Sequence, residues 1–319
     1  MRTLTVVCPV YNEEEVIADF HAELRRVLDA VADRWSATVL FVVDRGIDRT
    51  LEVLRSIAAR DRSVRVLALS ARFGHQMSLL AGIDHCDSDA VVMMDSDLQH
   101  PPSLIPELLA GFEKGHDIVY TVREDSPEVP VLKRLSSRLF YRMINAISDT
   151  AINESAADFR LVSRRVVEVF QKQIRERNQF LRGLFGWVGF PSLAVRFHVG
   201  RRRAGRTKYS VRRMVRFGVD GVVSFSKTPL QAAVYVGFSF GALGFLYALV
   251  TLVQFLAYRS FPSGWTTIII LISIFSGTQL VFLGILGEYL AAIFDEVKAR
   301  PHYIVAERIN FPPPGGQSA

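Results

Sequence analysis

Val91-Val92-Met93-Met94-Asp95-Ser96-Asp97 is an apolar run that ends at two carboxylates one residue apart. Apolar residues that stop at an Asp read as a buried strand whose C-terminal end opens into a crevice, which is where parallel α/β sheets place ligands. Asp95 and Asp97 would there offer hard oxygen ligands to Mg2+ or Mn2+. The same spacing also suits capping of a following helix, and Pro101-Pro102 starts one.

Outward from this run, residues 4–120 alternate short β-rich segments with helical patterns, the signature of βαβ units and a parallel sheet. The pattern predicts strands at 4–8, 37–43, 64–69, 90–94 and 118–121, with helices at 13–32, 49–59, 76–85 and 102–114. Charges and prolines make 122–130 a loop. Helices are predicted again at 132–147 and 164–173, short strands at 158–162 and 192–198, and an aromatic stretch at 180–190.

The chain of 319 residues is half apolar, and the surplus is concentrated late. Residues 228–258 and 260–287 carry no charge, so each run exceeds the roughly 20 residues that a helix needs to cross a bilayer. A two-helix transmembrane hairpin is therefore expected over 228–293. Arg201, Arg202, Arg203, Arg206, Lys208, Arg212, Arg213 and Arg216 precede the first run, Lys298, Arg300 and Arg308 follow the second, and only Arg259 lies between. The positive-inside bias then puts the N-terminal part and a tail over 294–319 on the cytoplasmic side of the cell (inner) membrane, as a multi-pass protein.

Residues 208–227 interleave basic and apolar side chains, as an amphipathic interfacial segment does, leaving 1–207 as the large cytoplasmic domain. Exposed interfacial helices leave room for a homo-oligomer. The net charge of +6 abuts the apolar runs and lacks interleaved base-stacking aromatics, which argues for membrane and phosphate partners and against nucleic acid. A cleavable signal peptide is not expected, since Met1-Arg2-Thr3 runs straight into a short strand-like segment. Cys8 and Cys86, both in apolar settings, suit a reducing compartment.

Pro9-Val10-Tyr11-Asn12-Glu13-Glu14 follows the first predicted strand and opens a helix whose backbone amides can hold part of a nucleotide. Asp44 ends the second strand. Together with Phe73-Gly74-His75-Gln76, Ala81-Gly82-Ile83-Asp84-His85, Met94 to Pro102, Ala157-Asp158-Phe159-Arg160-Leu161 and Ala204 to Ser210, these motifs resemble glycosyltransferase family two, in its polyprenyl-phosphate branch. That branch holds bactoprenol (undecaprenyl phosphate) glucosyltransferases and dolichyl-phosphate mannose synthase relatives, and the resemblance reaches about residue 308.

The resemblance implies an α/β GT-A type nucleotide-binding sheet with interfacial helices and two C-terminal transmembrane helices. It implies inverting transfer of one hexose, glucose for preference, from a UDP-sugar to undecaprenyl (polyprenyl) phosphate. Donor contacts fall on Pro9, Tyr11, Asn12, Glu13, Asp44, Asp95, Ser96, Asp97 and Gln99. Asp97, shared with Asp95, would hold Mg2+ or Mn2+, and Asp158 joins both at the catalytic centre. Arg123, Lys133, Ser137, Arg202 and Lys208 would grip the acceptor phosphate.

Two departures stand out. Val43-Asp44-Arg45-Gly46 replaces the family's Asp-Asp-Gly-Ser, with Gly46 taken as the family's Gly, and His100 stands where an Asp is common. His75 and His85 read as helix-surface or core residues. A processive polysaccharide synthase is the neighbouring alternative, since Gln179-Phe180-Leu181-Arg182-Gly183 resembles the Gln-x-x-Arg-Trp motif, but Gly183 replaces the Trp and two spans make a poor polymer channel. A catalytically silent membrane scaffold in glycan assembly is the alternative of a different class.

Overall fold

The computed structural model describes residues 1–97, 100–124, 156–177, 179–198, 226–258 and 264–312. They fall into two units, one holding the described residues up to His198 and from Arg300 onward, the other those from Ser226 to Ala299.

In the first unit β1 (Arg2–Val10), β2 (Trp35–Val43), β3 (Val64–Leu69) and β4 (Ala90–Met93) alternate with α1 (Ile17–Asp29), α2 (Thr50–Arg60) and α3 (His75–Asp84). A short 3-10 turn (Pro102–Leu104) leads into α4 (Ile105–Glu113), followed by β5 (Ile118–Glu124), β6 (Ala156–Ser163), α5 (Arg164–Lys172), α6 (Leu181–Trp187) and β7 (Ser192–His198). After the second unit comes β8 (Val305–Ile309). The strands form one sheet in the order β7-β5-β6-β4-β1-β2-β3-β8. β1 to β4 are mutually parallel, while β6 runs antiparallel to β4 and β5, and β8 antiparallel to β3.

Alternation assigns the two faces. Leu4, Val6, Cys8 and Val10 of β1 enter a core shared with Ile17, Phe20, Leu24 and Leu28, the one-turn-spaced stripe of α1, and with Leu54, Ile105 and Leu108. Each such side chain, fully buried, contributes roughly 1.5–3 kcal/mol. On the other face α3 lies so close to β1 that a Cβ on Gly82 would fall on Val7 Cγ1. With both faces covered, the central strands are buried along most of their length and read as apolar runs.

Four elements differ from the sequence expectation. α1 begins at Ile17 and not at 13, because Asn12 adopts φ 55° and the next residues form a turn in which Glu13 O accepts from the amides of Val16 and Ile17. The 180–190 stretch contains the helix α6. The second apolar helix continues past 293 to Lys298. Residues expected as a tail supply β8, anchored by Arg55 on Glu307 at 2.6 Å, Tyr303 Oη on Asp84 at 2.8 Å, and Asn310 Nδ2 on the carbonyls of Ala58 and Val64 at 2.7 and 2.8 Å. The predicted helix at 132–147 and the interfacial segment at 208–225 lie outside the described residues.

The second unit contains α7 (Thr228–Tyr258) and α8 (Trp265–Lys298), with Phe240 edge-on to Phe275 at 5.5 Å. Thr228–Gln254 and Thr267–Lys298 are long and apolar enough to cross a membrane, and none of their most apolar window is buried inside the protein. Leu243, Phe245, Leu252, Leu256, Ile272 and Leu280 are among the large apolar side chains left exposed. Apolar surface on this scale needs a non-aqueous neighbour.

Candidate active site

The parallel strands β1 to β4 end at one edge of the sheet, and antiparallel β6 begins there. Met93 lies opposite Arg160, so carrying that register two residues further sets Asp95 beside Asp158. Pro9, Tyr11, Asn12, Glu13, Asp44, Asp95, Ser96 and Asp97 all stand at or just beyond the ends of β1, β2 and β4. The fold thus gathers most of the expected donor-side set.

Several of these side chains hold the edge itself together. Asp44 is buried, and its oxygens accept the amides of Phe73 at 2.7 Å and Gly74 at 2.9 Å, fixing the turn before α3. The buried Ser96 hydroxyl donates to the Pro9 carbonyl at 3.1 Å and ties β4 to β1. Asn12 Oδ1 accepts the Ile47 amide at 3.0 Å, and a Cβ on Gly46 would fall on that oxygen, so the closeness of the two loops requires glycine. The amides of Glu13 and Glu14, expected to face a nucleotide, donate instead to Thr50 Oγ1 at 2.9 Å and Asp48 Oδ2 at 3.2 Å. Burial raises the Asp48 carboxyl, but hydrogen bonds from Thr50 and Glu14 outweigh it and hold the group below the ordinary carboxylate range.

The more open part of the edge starts at Asp95, whose side chain is 29% exposed. His75 Nε2 lies 2.7 Å from Asp95 Oδ1. The imidazole of His100, buried and stacked on Phe159 at 5.4 Å, accepts the Asp95 amide at Nδ1 over 3.2 Å. That bond puts the His100 proton on Nε2, so the 3.4 Å approach of Nδ1 to Asp95 Oδ2 is not an ion pair. Burial pulls the His75 imidazole down, yet the hydrogen bond and charge of Asp95, helped by Asp158, raise it above its ordinary value. Asp97 follows, half-buried. On the rim the Arg72 guanidinium stacks over the Tyr11 ring at 4.1 Å.

Beside this lies a second charged group. Arg182 Nε and Nη2 donate to Asp158 Oδ1 and Oδ2 at 3.2 and 2.9 Å, a bidentate pair. Arg160, on the same face of β6, is buried with Nη2 3.9 Å from Asp158 Oδ1, and its guanidinium lies over Phe185 at 4.6 Å. Burial lowers Arg160 to about 10, still cationic at neutral pH. Burial raises Asp158, but the Arg182 charge and hydrogen bonds, then Arg160 and His75, hold it below its ordinary value.

His75, His100 and Arg182 are the contributors that the sequence reading left outside the site. The signal for His75 was its position at a helix start behind Gly74 (φ 93°), and for Arg182 the Gln-x-x-Arg spacing. Gln99, Lys133, Ser137, Arg202 and Lys208 lie outside the described residues, as does the side chain of Arg123 in β5. Among the described residues no three His, Cys, Asp or Glu side chains form a ligand set for a metal ion. Asp95 and Asp97 do offer the hard oxygen donors that Mg2+ and Mn2+ favour, with water or a bound anion left to complete the shell.

Residues 5–170 match the family model described as Glycosyl transferase family 2. The chain is 38% identical over 301 residues to the uncharacterized glycosyltransferase YkcC of Bacillus subtilis, covering 94% of this chain and 92% of that one. It is 34% identical to the SfII prophage-derived bactoprenol glucosyl transferase of Shigella flexneri, covering 95% and 97%, and 33% identical to the prophage bactoprenol glucosyl transferase homolog of Escherichia coli, covering 95% and 98%. A remote likeness, with TM-score 0.42 and 17% identity over 69% of this chain and 75% of the other, links it to glucosyl-3-phosphoglycerate synthase from Mycobacterium tuberculosis, crystallised with Mn2+, UDP and phosphoglyceric acid. On the family match and the near full-length relatives, the chain belongs to glycosyl transferase family 2.

Proposed function

We propose that this protein transfers a single hexose, with inversion, from a UDP-sugar to a polyprenyl phosphate at the cytoplasmic face of a membrane. The observation that carries the reading is the convergence of Asp95, Asp97 and Asp158 at one sheet edge. Relatives named bactoprenol glucosyl transferase support the lipid acceptor, glucose and the full-length correspondence. The two exposed apolar helices support a membrane-anchored hairpin over 228–293, and the basic segment before them supports a cytoplasmic catalytic part.

Asp97, with Asp95, would hold Mg2+ or Mn2+, which when bound neutralises charge on the departing diphosphate. His75 and His100 fix Asp95 on the inner side of the site. In the transfer an acceptor phosphate oxygen bonds to the sugar's anomeric carbon while the bond to UDP breaks and its electron pair leaves with UDP. One displacement inverts the centre. A phosphate monoester has its second pKa near 6 and is largely ionised at neutral pH, so the nucleophile needs little help from a base. Asp158, kept anionic by Arg182, suits orientation of the sugar and stabilisation of the positive charge developing on it. Arg123, Lys133, Ser137, Arg202 and Lys208 remain the acceptor-phosphate set.

The test incubates purified protein with Mg2+ or Mn2+, polyprenyl phosphate and a panel of labelled nucleotide sugars, and measures label in butanol-extractable lipid. UDP-glucose is expected to give the strongest signal, lost in Asp97→Ala. No lipid-linked product from any donor would overturn the reading.

A further inference from the structure

Arg182 enters the chemistry above only as a charge beside Asp158, yet the packing around α6 also determines where that charge stands. The Leu181 amide, at the start of α6, donates to Gln76 Oε1 at 3.2 Å, which pins that helix to the beginning of α3. Phe185, one turn on, packs on Phe170 of α5 with ring centroids 4.4 Å apart and carries the Arg160 guanidinium at 4.6 Å. Arg182, in the first turn between these anchors, reaches Asp158 through two near-parallel N–H···O bonds. Such a fork fixes the plane of a carboxylate as well as its charge, which a single lysine ammonium cannot do.

We propose that Arg182 is the positioning residue of the site: from α6 it sets the plane of the Asp158 carboxylate and keeps it an anion that acts by fixed charge and hydrogen bonding, never by accepting the acceptor's proton. This rests on the reading of the sheet edge as the place of sugar transfer. Among the described residues, the groups facing Asp158 are Arg182 from α6, Arg160 from its own strand, His75 from α3 and, in register across from it, Asp95 beyond β4; the two guanidinium charges stand closest to the carboxylate oxygens. The lowering of the Asp158 pKa agrees with the geometry.

Two readouts on the full chain in detergent test this, with Arg182→Gln and Arg182→Lys. The first is independent of turnover: the Asp158 carboxyl carbon, assigned by its loss in Asp158→Asn, is titrated by NMR in 13C-aspartate-labelled protein without substrate. The wild-type midpoint should lie below the ordinary carboxylate value of about 3.9, rise by about one unit or more in Arg182→Gln, and fall between in Arg182→Lys. The second is lipid-linked transfer. Arg182→Gln should lower kcat by about 100-fold with the donor KM changed by less than about threefold, as expected when a reacting geometry is lost and binding is not. It should also move the acid limb of kcat to higher pH, and should cost nothing further in an Asp158→Asn background. An unmoved midpoint in Arg182→Gln overturns the proposal, and so do penalties that multiply in the double variant, because Arg182 would then contact substrate directly. If wild-type protein transfers no sugar, the proposed function fails while the titration still decides whether Arg182 sets Asp158.

Discussion

The ends of β2 and β4 look alike as sequence, each an apolar strand that stops near an Asp, and the structure gives them different partners. After β2, Asp44 is 4% exposed, its oxygens accept two main-chain amides, and Asp48 closes the next turn through Thr50 and the Glu14 amide. After β4, Asp95 is 29% exposed, with its carboxylate against the His75 imidazole and its main-chain amide on His100. A buried carboxylate that accepts two main-chain amides fastens the turn they belong to. One that is part-open and meets a titratable side chain is a candidate ligand position.

Substitutions can break that distinction. Asp97→Ala should lower kcat/KM by about 1,000-fold, roughly 4 kcal/mol of transition-state stabilisation, with little change in thermal midpoint. Asp44→Ala should instead cost about 1–3 kcal/mol of stability in denaturant unfolding, because two part-buried main-chain amides lose their acceptor. If Asp44→Ala left stability intact and abolished transfer, the two strand ends would be doing the same job. Gly46→Ala should cost about 1 kcal/mol by displacing Asn12 Oδ1 from the Ile47 amide, again as stability rather than as kcat.

The smallest effects come from pH, and they run in opposite directions. Asp48 has a lowered value in the fold, so its contribution is present above about pH 4 and fades as pH falls through that lowered value. His75 has a raised value, so its contribution is full below about pH 6.5 and fades as pH rises through the raised value. Unfolding midpoints from acid to mildly alkaline pH should therefore show Asp48→Asn converging on wild type at the acid end and His75→Gln at the alkaline end. Convergence at the same end would show that the two turns share one electrostatic network.

The parallel core was legible because strands buried on both faces must be continuous apolar runs, as Val39 to Val43 and Val91 to Met94 are. The strand-end carboxylates were legible for the same reason, since a charge stops such a run. What escaped depends on partners distant in sequence. His100 matters through its stacking on Phe159 and its bond to Asp95, and Arg182 through Asp158, pairings that no local period encodes. β8 looked like a polar tail because an edge strand keeps charged residues such as Glu307 and Arg308 along its length, and only its place beside β3 reveals it. The start of α1 was misplaced by the left-handed Asn12, where a helix-compatible sequence is held in a turn by contacts to another loop.

β8 has one more consequence. The chain leaves the sheet after β7 and rejoins it as β8, with α7 and α8 in between. A bilayer cannot pass through a hydrogen-bonded sheet, so the whole stretch of chain between β7 and β8 must cross any membrane an even number of times or not at all. The return strand therefore acts as a parity check on topology, independent of any charge bias. A variant lacking α7 alone would have to give up either the crossing by α8 or the pairing of β8 with β3.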